Sequence, residues 1–255
     1  MLDWYSGFIG YDGMRLSLNS VCEVTPGGEI LWQKERRLQV VGSYESKIQL
    51  GRVAATADMV KAAERLNLHC CPVCIESSGN PVKFLQGHNV FGPSVRDLGA
   101  VLKAMVKEFP DGVRPRDADS PLYPALHRQR VDLNVMVDLG SHRAVHEWLQ
   151  HAAMFTRSRH KTRAVLLSDR LRGGETVYWG QHSTRWTLKA YCKFCELKQH
   201  VPLNPEWKDF LSWAEGQLRI ELCLRRPELK ERGTLDESLI WEFLKRVEVG
   251  IMKKD

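Results

Sequence analysis

Long apolar runs are missing from this chain: none approaches the roughly 20 residues that a helix needs to cross a bilayer. The first residues, M-L-D-W-Y-S-G, show neither the basic segment nor the apolar segment of a secretory signal. Both absences point to a cytosolic protein. Glycine and proline, at 19 and 11 residues, are not in excess, and no stretch is of low complexity. That excludes collagen-like and linker-dominated chains and predicts order throughout. Cysteine is sparse: seven thiols in a cytosolic chain stay reduced, which excludes a disulfide framework. Two C-x-x-C pairs, Cys71/Cys74 and Cys192/Cys195, raise the question of zinc. Against it, Cys192 falls inside a stretch that alternates as a strand does, where positions three apart face opposite sides.

What is present is a 43% hydrophobic chain, enough for one large core or two modest ones. The net charge of +6 is unevenly spread. Arg157, Arg159, Lys161, Arg163, Arg170 and Arg172 crowd one segment with His160, opposed only by Asp169. Such a cluster suits a phosphate backbone, and equally a solvated face.

Periodicity predicts a strand-rich start: Leu2 to Ile9, Arg15 to Thr25, Glu29 to Gly42 and Ser46 to Val53, with a turn at Pro26 to Glu29. A short helix is expected over Met59 to Leu66, an extended run over Cys71 to Ser77, then a glycine-punctuated segment carrying Gln86, His88 and Asn89. Ser94 caps an amphipathic helix to Phe109, with Val95, Leu98, Val101, Leu102, Met105 and Val106 as its stripe. After a loop over Pro110 to Pro124, a strand alternates Val131, Leu133, Val135 and Val137 with Arg130, Asp132, Asn134 and Asp138. Ser141 caps a helix to about Phe155, and a strand lies around Ala164 to Leu167. Asn204 and Pro205 open a helix ending near Gly216. Gln217 to Arg226 alternates again, with Arg219, Glu221 and Cys223 on the outer side. A last helix runs from about Leu235 to Val247, with Thr234 and Glu237 as a capping box.

The stretch T-V-Y-W-G-Q-H-S-T-R-W-T-L-K-A-Y-C-K-F-C-E-L, Thr176 to Leu197, stands at the centre. From Trp186 to Phe194 it alternates, so Tyr191 and Lys193 share a polar face with Arg185 upstream. A tyrosine hydroxyl titrates near 10 and is a poor nucleophile unless a cation favours its ionised form. Three strands thus present ionisable groups: Asp132, Tyr191 with Lys193, and Arg219 with Glu221, with Glu76 as a fourth contributor. Converging carboxylates suit Mg²⁺ or Mn²⁺. The plain alternative is a one-sided antiparallel sheet whose outer face is polar by default.

The block P-V-K-F-L-Q-G-H-N-V-F-G (Pro81 to Gly92), preceded by Cys74 and Glu76, resembles the replication initiators of filamentous bacteriophages, the gene II/X family. The central stretch is similar to their T-V-x-W…S…T-L-x-A-Y-x-K-x-x-E-L. R-V-D (Arg130 to Asp132) and R-I-E (Arg219 to Glu221) are similar to their R-I-D and R-F-E. A phage or prophage of the Pseudomonas type fits this pattern. The resemblance implies an α+β fold like that of rolling-circle nucleases, with a mainly antiparallel sheet, helices on one face and DNA on the other. It implies an origin-specific nickase and strand-joining enzyme working through a 5′-phosphotyrosyl link with Mg²⁺ or Mn²⁺. The alternative is an origin-binding regulator that does not cut. Carried over, Tyr191 is the nucleophile, with Tyr178 second, and Lys193 stabilises charge. Asp132, Glu221 and Glu76 hold the metal, and His88 acts as ligand, acid or DNA contact. Gln86, Asn89, Arg130, Arg157, Arg159, Lys161, Arg163, Arg185 and Arg219 face DNA. The His-hydrophobic-His motif of many rolling-circle nickases is absent, which brings the acidic sites of some plasmid initiators closer. The partners implied are phage origin DNA and the host helicase and polymerase, in the bacterial cytoplasm. The expected organisation is a catalytic domain over residues 1–225 and a helical extension over 226–255 leading into a further C-terminal region.

Overall fold

The computed structural model describes residues 1–11, 20–24, 30–35, 38–41, 47–65, 73–109, 128–158, 165–169, 174–200 and 205–249. The expected turn at Pro26 to Glu29 and the loop over Pro110 to Pro124 lie outside them. The chain folds as two compact units, one formed by Leu2–Val131 and the other by Met1 with Asp132–Asp255.

In the first unit, β1 (Leu2–Tyr11) pairs antiparallel with β6 (Val73–Gly79), β6 with β5 (Lys47–Ala54), and β5 with β4 (Leu38–Val41). A separate hairpin joins β2 (Ser20–Val24) to β3 (Ile30–Glu35). β5 shows the expected period of two, with Ile48 and Leu50 buried between exposed Lys47 and Gln49. The register of β1 slips at Ile9, between Phe8↔Glu76 and Gly10↔Ile75, a bulge that twists the strand. A Cβ at Gly79 would lie 2.5 Å from Ile48 Cδ1 and 3.0 Å from the Lys47 carbonyl oxygen, so a larger residue there would displace the buried Ile48 side chain. α1 (Ala57–Arg65) matches its expected position. Ser94 caps a 3₁₀ turn, Val95–Asp97, that runs into α3 (Leu98–Lys107), whose buried Leu98, Val101, Leu102, Met105 and Val106 are the predicted stripe.

The glycine-punctuated segment holds more order than its composition suggests. It begins with α2 (Pro81–Gln86), where the Asn80 Oδ1 accepts from the Lys83 N–H at 2.8 Å and Pro81 occupies the first turn. Gly87, at φ 83°, closes the helix by donating to the Lys83 carbonyl at 2.8 Å. Phe84 then meets Phe109 edge-to-face, centroids 5.8 Å apart. Asn-Pro at one end and Gln-Gly at the other were the cap signals, and the six-residue length hid the helical period between them.

In the second unit, β7 (Arg128–Asp138) enters from the first unit and lies beside β12 (Gln217–Arg225). β12 pairs antiparallel with β11 (Trp186–Cys192), β11 with β10 (Gly174–Trp179), and β10 with β9 (Val165–Asp169). A two-stranded ladder joins β8 (Thr156–Ser158) to β13 (Val247–Val249). α4 (His142–Phe155) starts at Ser141, whose Oγ accepts from the Ala144 N–H at 3.2 Å. It buries Val145, Leu149 and Ala152. Its Trp148 lies 6.4 Å, centroid to centroid, from Trp179, while Phe243 of α8 (Ser238–Leu244) lies 5.2 Å from Trp186. Trp179 pairs with Leu188 and Trp186 with Leu224, so both helices reach the apolar face of β10–β12. The α+β architecture, with a mainly antiparallel sheet, is as expected.

Three local expectations are corrected. The strand read to Phe194 ends at Cys192, and α5 (Lys193–His200) begins at once. Phe194, Cys195 and Leu197 fit a strand period and a helix period equally well over so few residues. The outer side of β12 is not solvated, because Arg219, Glu221 and Cys223 are all buried. Finally, the Thr234–Glu237 box does not form. Asp236 Oδ1 accepts from the Ser238 N–H at 2.8 Å, while Glu237 Oε1 takes the Met1 ammonium at 2.8 Å. A 3₁₀ turn (Pro205–Lys208), α6 (Asp209–Ala214) and α7 (Arg226–Glu231) complete the unit. Among the described residues no helix is long and apolar enough to cross a membrane.

Candidate functional site

The β11–β12 ladder sets Lys189 opposite Glu221 and Tyr191 opposite Arg219. Directly opposed residues in an antiparallel pair share a face, so these four side chains form one patch. Thr176 and Tyr178 of β10, opposite Tyr191 and Lys189, extend it. Glu221 is the hub. Its Oε1 accepts from Arg219 Nε at 2.7 Å and from the Tyr191 hydroxyl, and its Oε2 lies 2.5 Å from Lys189 Nζ. Lys189 also stands 5.3 Å above the Tyr191 ring. Arg219 and Glu221 are 0% and 2% exposed, whereas Lys189 is 31% exposed and Tyr191 is half-buried, so the patch opens at the tyrosine.

Burial alone would push the Glu221 carboxyl up, but Arg219 and then Lys189 outweigh it and hold the group down at about 2. It is therefore ionised at neutral pH. A carboxylate that acidic is a weak base, so its effect on Tyr191 is to orient the hydroxyl. Lys189, at the open side of the patch, is placed to meet negative charge developing there.

The other predicted residues fall as follows. Asp132 is on β7 of the same unit, 3% exposed, on the strand beside Glu221's. Lys193 is corrected: the turn into α5 breaks the alternation, and its fully buried ammonium bonds Glu196 Oε2 at 2.6 Å. Lys189, two residues before Tyr191 on the same face, takes the position expected of it, and the same alternation made it legible. Arg219 is corrected as a DNA-facing residue, since it is inaccessible and committed to Glu221. Arg185 Nη2 pairs with Glu228 Oε2 at 2.9 Å and also with Glu231. Arg157 on β8 is exposed. Arg159, Lys161 and Arg163 lie outside the described residues.

Glu76, His88, Gln86, Asn89 and Arg130 belong to the other unit. Both oxygens of buried Glu76 accept from Gln129 Nε2 at 2.8 Å. The side-chain amides of the distinctive Q-G-H-N block are bonded within the protein. Gln86 Nε2 donates to the carbonyls of His88 at 3.2 Å and Phe91 at 2.6 Å, and lies 3.3 Å from the half-buried His88 Nδ1. Asn89 Nδ2 and Asn80 Nδ2 both donate to Asp3 Oδ1 at 2.9 Å. Arg130 is exposed, with its guanidinium 5.3 Å from the Trp4 ring centroid. Asp3→Ala strands both amides and is expected to cost about 2–3 kcal/mol. Urea unfolding will read this as a lower midpoint, and Asp3→Asn, which keeps an acceptor, should lose clearly less. Equal losses would show that the block does not depend on that acceptor.

A second cluster escaped the sequence reading. His142 and His146, one turn apart on α4, meet Cys192 and Cys195 across the β11–α5 junction, with ligand atoms all within 4.8 Å of one another. The helix start is what brings the C-x-x-C pair together. The H-x-x-x-H spacing within a helical stretch was the available signal. The Cys192 thiol is drawn down to about 6, chiefly by its hydrogen bond with Cys195 and against burial, while Cys195 moves up.

The sequence profile of the family formed by the N-terminal region of the replication-associated protein, the gene II product of filamentous phages, matches residues 1–246. The replication-associated protein of Enterobacteria phage I2-2 is 28% identical over 240 residues, covering 91% of this chain and 64% of that protein. Its counterpart from Enterobacteria phage M13 is 27% identical over 179 residues, covering 63% and 42%. The chain thus spans less than two thirds of the length of these relatives. Among solved structures, a rolling circle replication initiator protein from Geobacillus stearothermophilus aligns with 99% of this chain and 87% of that one, at 14% identity and a TM-score of 0.43. With a profile spanning nearly all of its length, the chain belongs to the gene II replication-associated protein family, matching its N-terminal region.

Proposed function

We propose that this chain carries the DNA-nicking and strand-joining site of a filamentous-phage rolling-circle initiator, with Tyr191 as its nucleophile. The observation that carries the reading is the Tyr191 hydroxyl held by a buried, ionised Glu221 between two cations. The phenolic oxygen bonds to the scissile phosphorus, and the bond from phosphorus to the 3′-oxygen breaks. The proton lost by Tyr191 is balanced by the one gained at the new 3′-hydroxyl. The 5′-phosphotyrosyl link conserves the bond for later joining. Lys189, at the open side of the patch, meets the charge growing on the phosphoryl oxygens.

A Mg²⁺ or Mn²⁺ ion supplies Lewis-acid polarisation of the phosphodiester when bound. Glu221 fits that ion poorly, because its oxygens are already shared among Arg219, Lys189 and Tyr191. Asp132, on the adjacent strand, is the hard oxygen donor we assign in its place. The proposed partner is phage origin DNA, reached in the host cytoplasm together with the host helicase and polymerase. Exposed Arg130 and Arg157 are the described cations we assign to its backbone.

Incubation with labelled single-stranded origin oligonucleotide and Mn²⁺ should yield an adduct that survives denaturation and maps to Tyr191 by peptide mass. Origin binding without any adduct would instead leave a non-cutting regulator with the same fold.

A further inference from the structure

We infer that His142, His146, Cys192 and Cys195 form a closed, structural Zn²⁺ site that ties helix α4 to the strand carrying Tyr191. His142 Nε2 and His146 Nε2 lie 3.0 Å apart, and both aim at Cys195 Sγ, at 3.1 and 3.4 Å. With Cys192 Sγ, four ligand atoms lie within 4.8 Å of one another. Tetrahedral zinc with bonds of about 2.0–2.3 Å sets its ligand atoms roughly 3.3–3.8 Å apart. A single cation at their centre would serve all four of these converging donor atoms at once.

The surroundings are those of a metal centre. His146 Nδ1 lies 3.0 Å from Glu175 Oε2. A proton on that nitrogen leaves the Nε2 lone pair facing inward, the carboxylate–histidine arrangement that orients metal-bound imidazoles. Both thiols are buried and outside any disulfide, and the Phe194 ring packs 5.1 Å from that of His142. Two thiolates and two imidazoles are borderline-soft donors that select zinc over Mg²⁺ or Mn²⁺. Four protein ligands leave no open position, so the ion has a structural task. Cys192 directly follows Tyr191, so the centre anchors the end of β11 where the tyrosine sits.

The site does not depend on the nicking chemistry, and its test reads metal alone. The full chain, expressed with added zinc and dialysed, should hold one zinc per molecule by elemental analysis. Replacing that zinc with Co²⁺ should produce thiolate-to-metal charge-transfer bands and intense tetrahedral ligand-field bands. Cys195→Ser and His146→Ala should lose the bound zinc. Glu175→Gln, with the four ligands intact, should keep its circular dichroism and bind zinc about 10–100-fold more weakly. A folded wild-type chain with substoichiometric zinc and no cobalt charge-transfer band overturns the site. So does full zinc retention in Cys195→Ser and His146→Ala.

Discussion

Tyr191→Phe should leave no covalent adduct with origin DNA and lower nicking by at least about 10⁴-fold, because the substitution deletes the oxygen we propose as the nucleophile. The comparison is clean for structural reasons. The hydroxyl is a single donor at the open side of the patch, while Glu221 keeps Arg219 and Lys189 as partners. The phenylalanine ring should therefore occupy the same space, and thermal unfolding should shift little. Lys189→Met is the companion variant. It removes the cation proposed to meet the phosphoryl oxygens and should slow nicking about 10²–10³-fold, as loss of one charge-stabilising donor does. Single-turnover cleavage of a labelled origin strand separates the two outcomes. Residual adduct in Tyr191→Phe would shift the assignment to Tyr178, which shares the face opposite Lys189. An unaltered rate in Lys189→Met would remove the electrostatic role.

Arg219→Met is the change expected to cost most in stability. It removes a fully buried cation from a fully buried carboxylate, and breaking such a pair typically costs about 3–5 kcal/mol. The acid limb of the stability curve should change as well. Glu221 is held at about 2, below the ordinary 4.5. Its contribution, roughly 3 kcal/mol at about 1.4 kcal/mol per pH unit, is present in full above 4.5 and is lost as pH falls through about 2. Without Arg219 the carboxyl rises, so less of this contribution is left to lose and the gap between wild type and variant narrows as pH falls below 4.5. Urea midpoints for wild type and variant between neutral and acidic pH would show this. A gap that stays constant down to about pH 3 would mean that the pair carries no such linkage. The double variant Arg219→Leu, Glu221→Leu should recover most of the stability while losing strand cleavage. An apolar pair of similar volume often replaces a buried ion pair at no cost. That result would identify function as the reason for keeping charge in this core.

Particular residues show how far the amino-acid order reaches. Alternation in Gln217 to Arg226 placed Arg219 and Glu221 on one face, and alternation from Trp186 to Phe194 placed Lys189 and Tyr191 together. Both hold, because a strand's period of two is a local property of the extended backbone. Ser141 as a cap and the stripe of α3 were legible for the same reason. The order of residues could not say that the polar face of β12 is buried, which depends on what packs against it. It also left Lys193 in the wrong element, since Lys193 to Leu197 suits either period and only the folded chain chooses. The resemblance ranked Tyr191 above Tyr178, and the ladder supplied its hydrogen-bonded partner.

Residue order alone was enough for the α+β class, most strand faces, membership of the gene II protein family and the tyrosine worth testing. These rest on short-range periodicity and on ordered motifs. Only the folded chain shows that Glu221 serves Arg219, Lys189 and Tyr191 together. Folding also turns a C-x-x-C pair, read as two faces of a strand, into half of a four-ligand centre with His142 and His146. Both are meetings of residues from 30 to about 50 positions apart in the chain. Such meetings are set by strand pairing and helix docking, which local pattern does not encode.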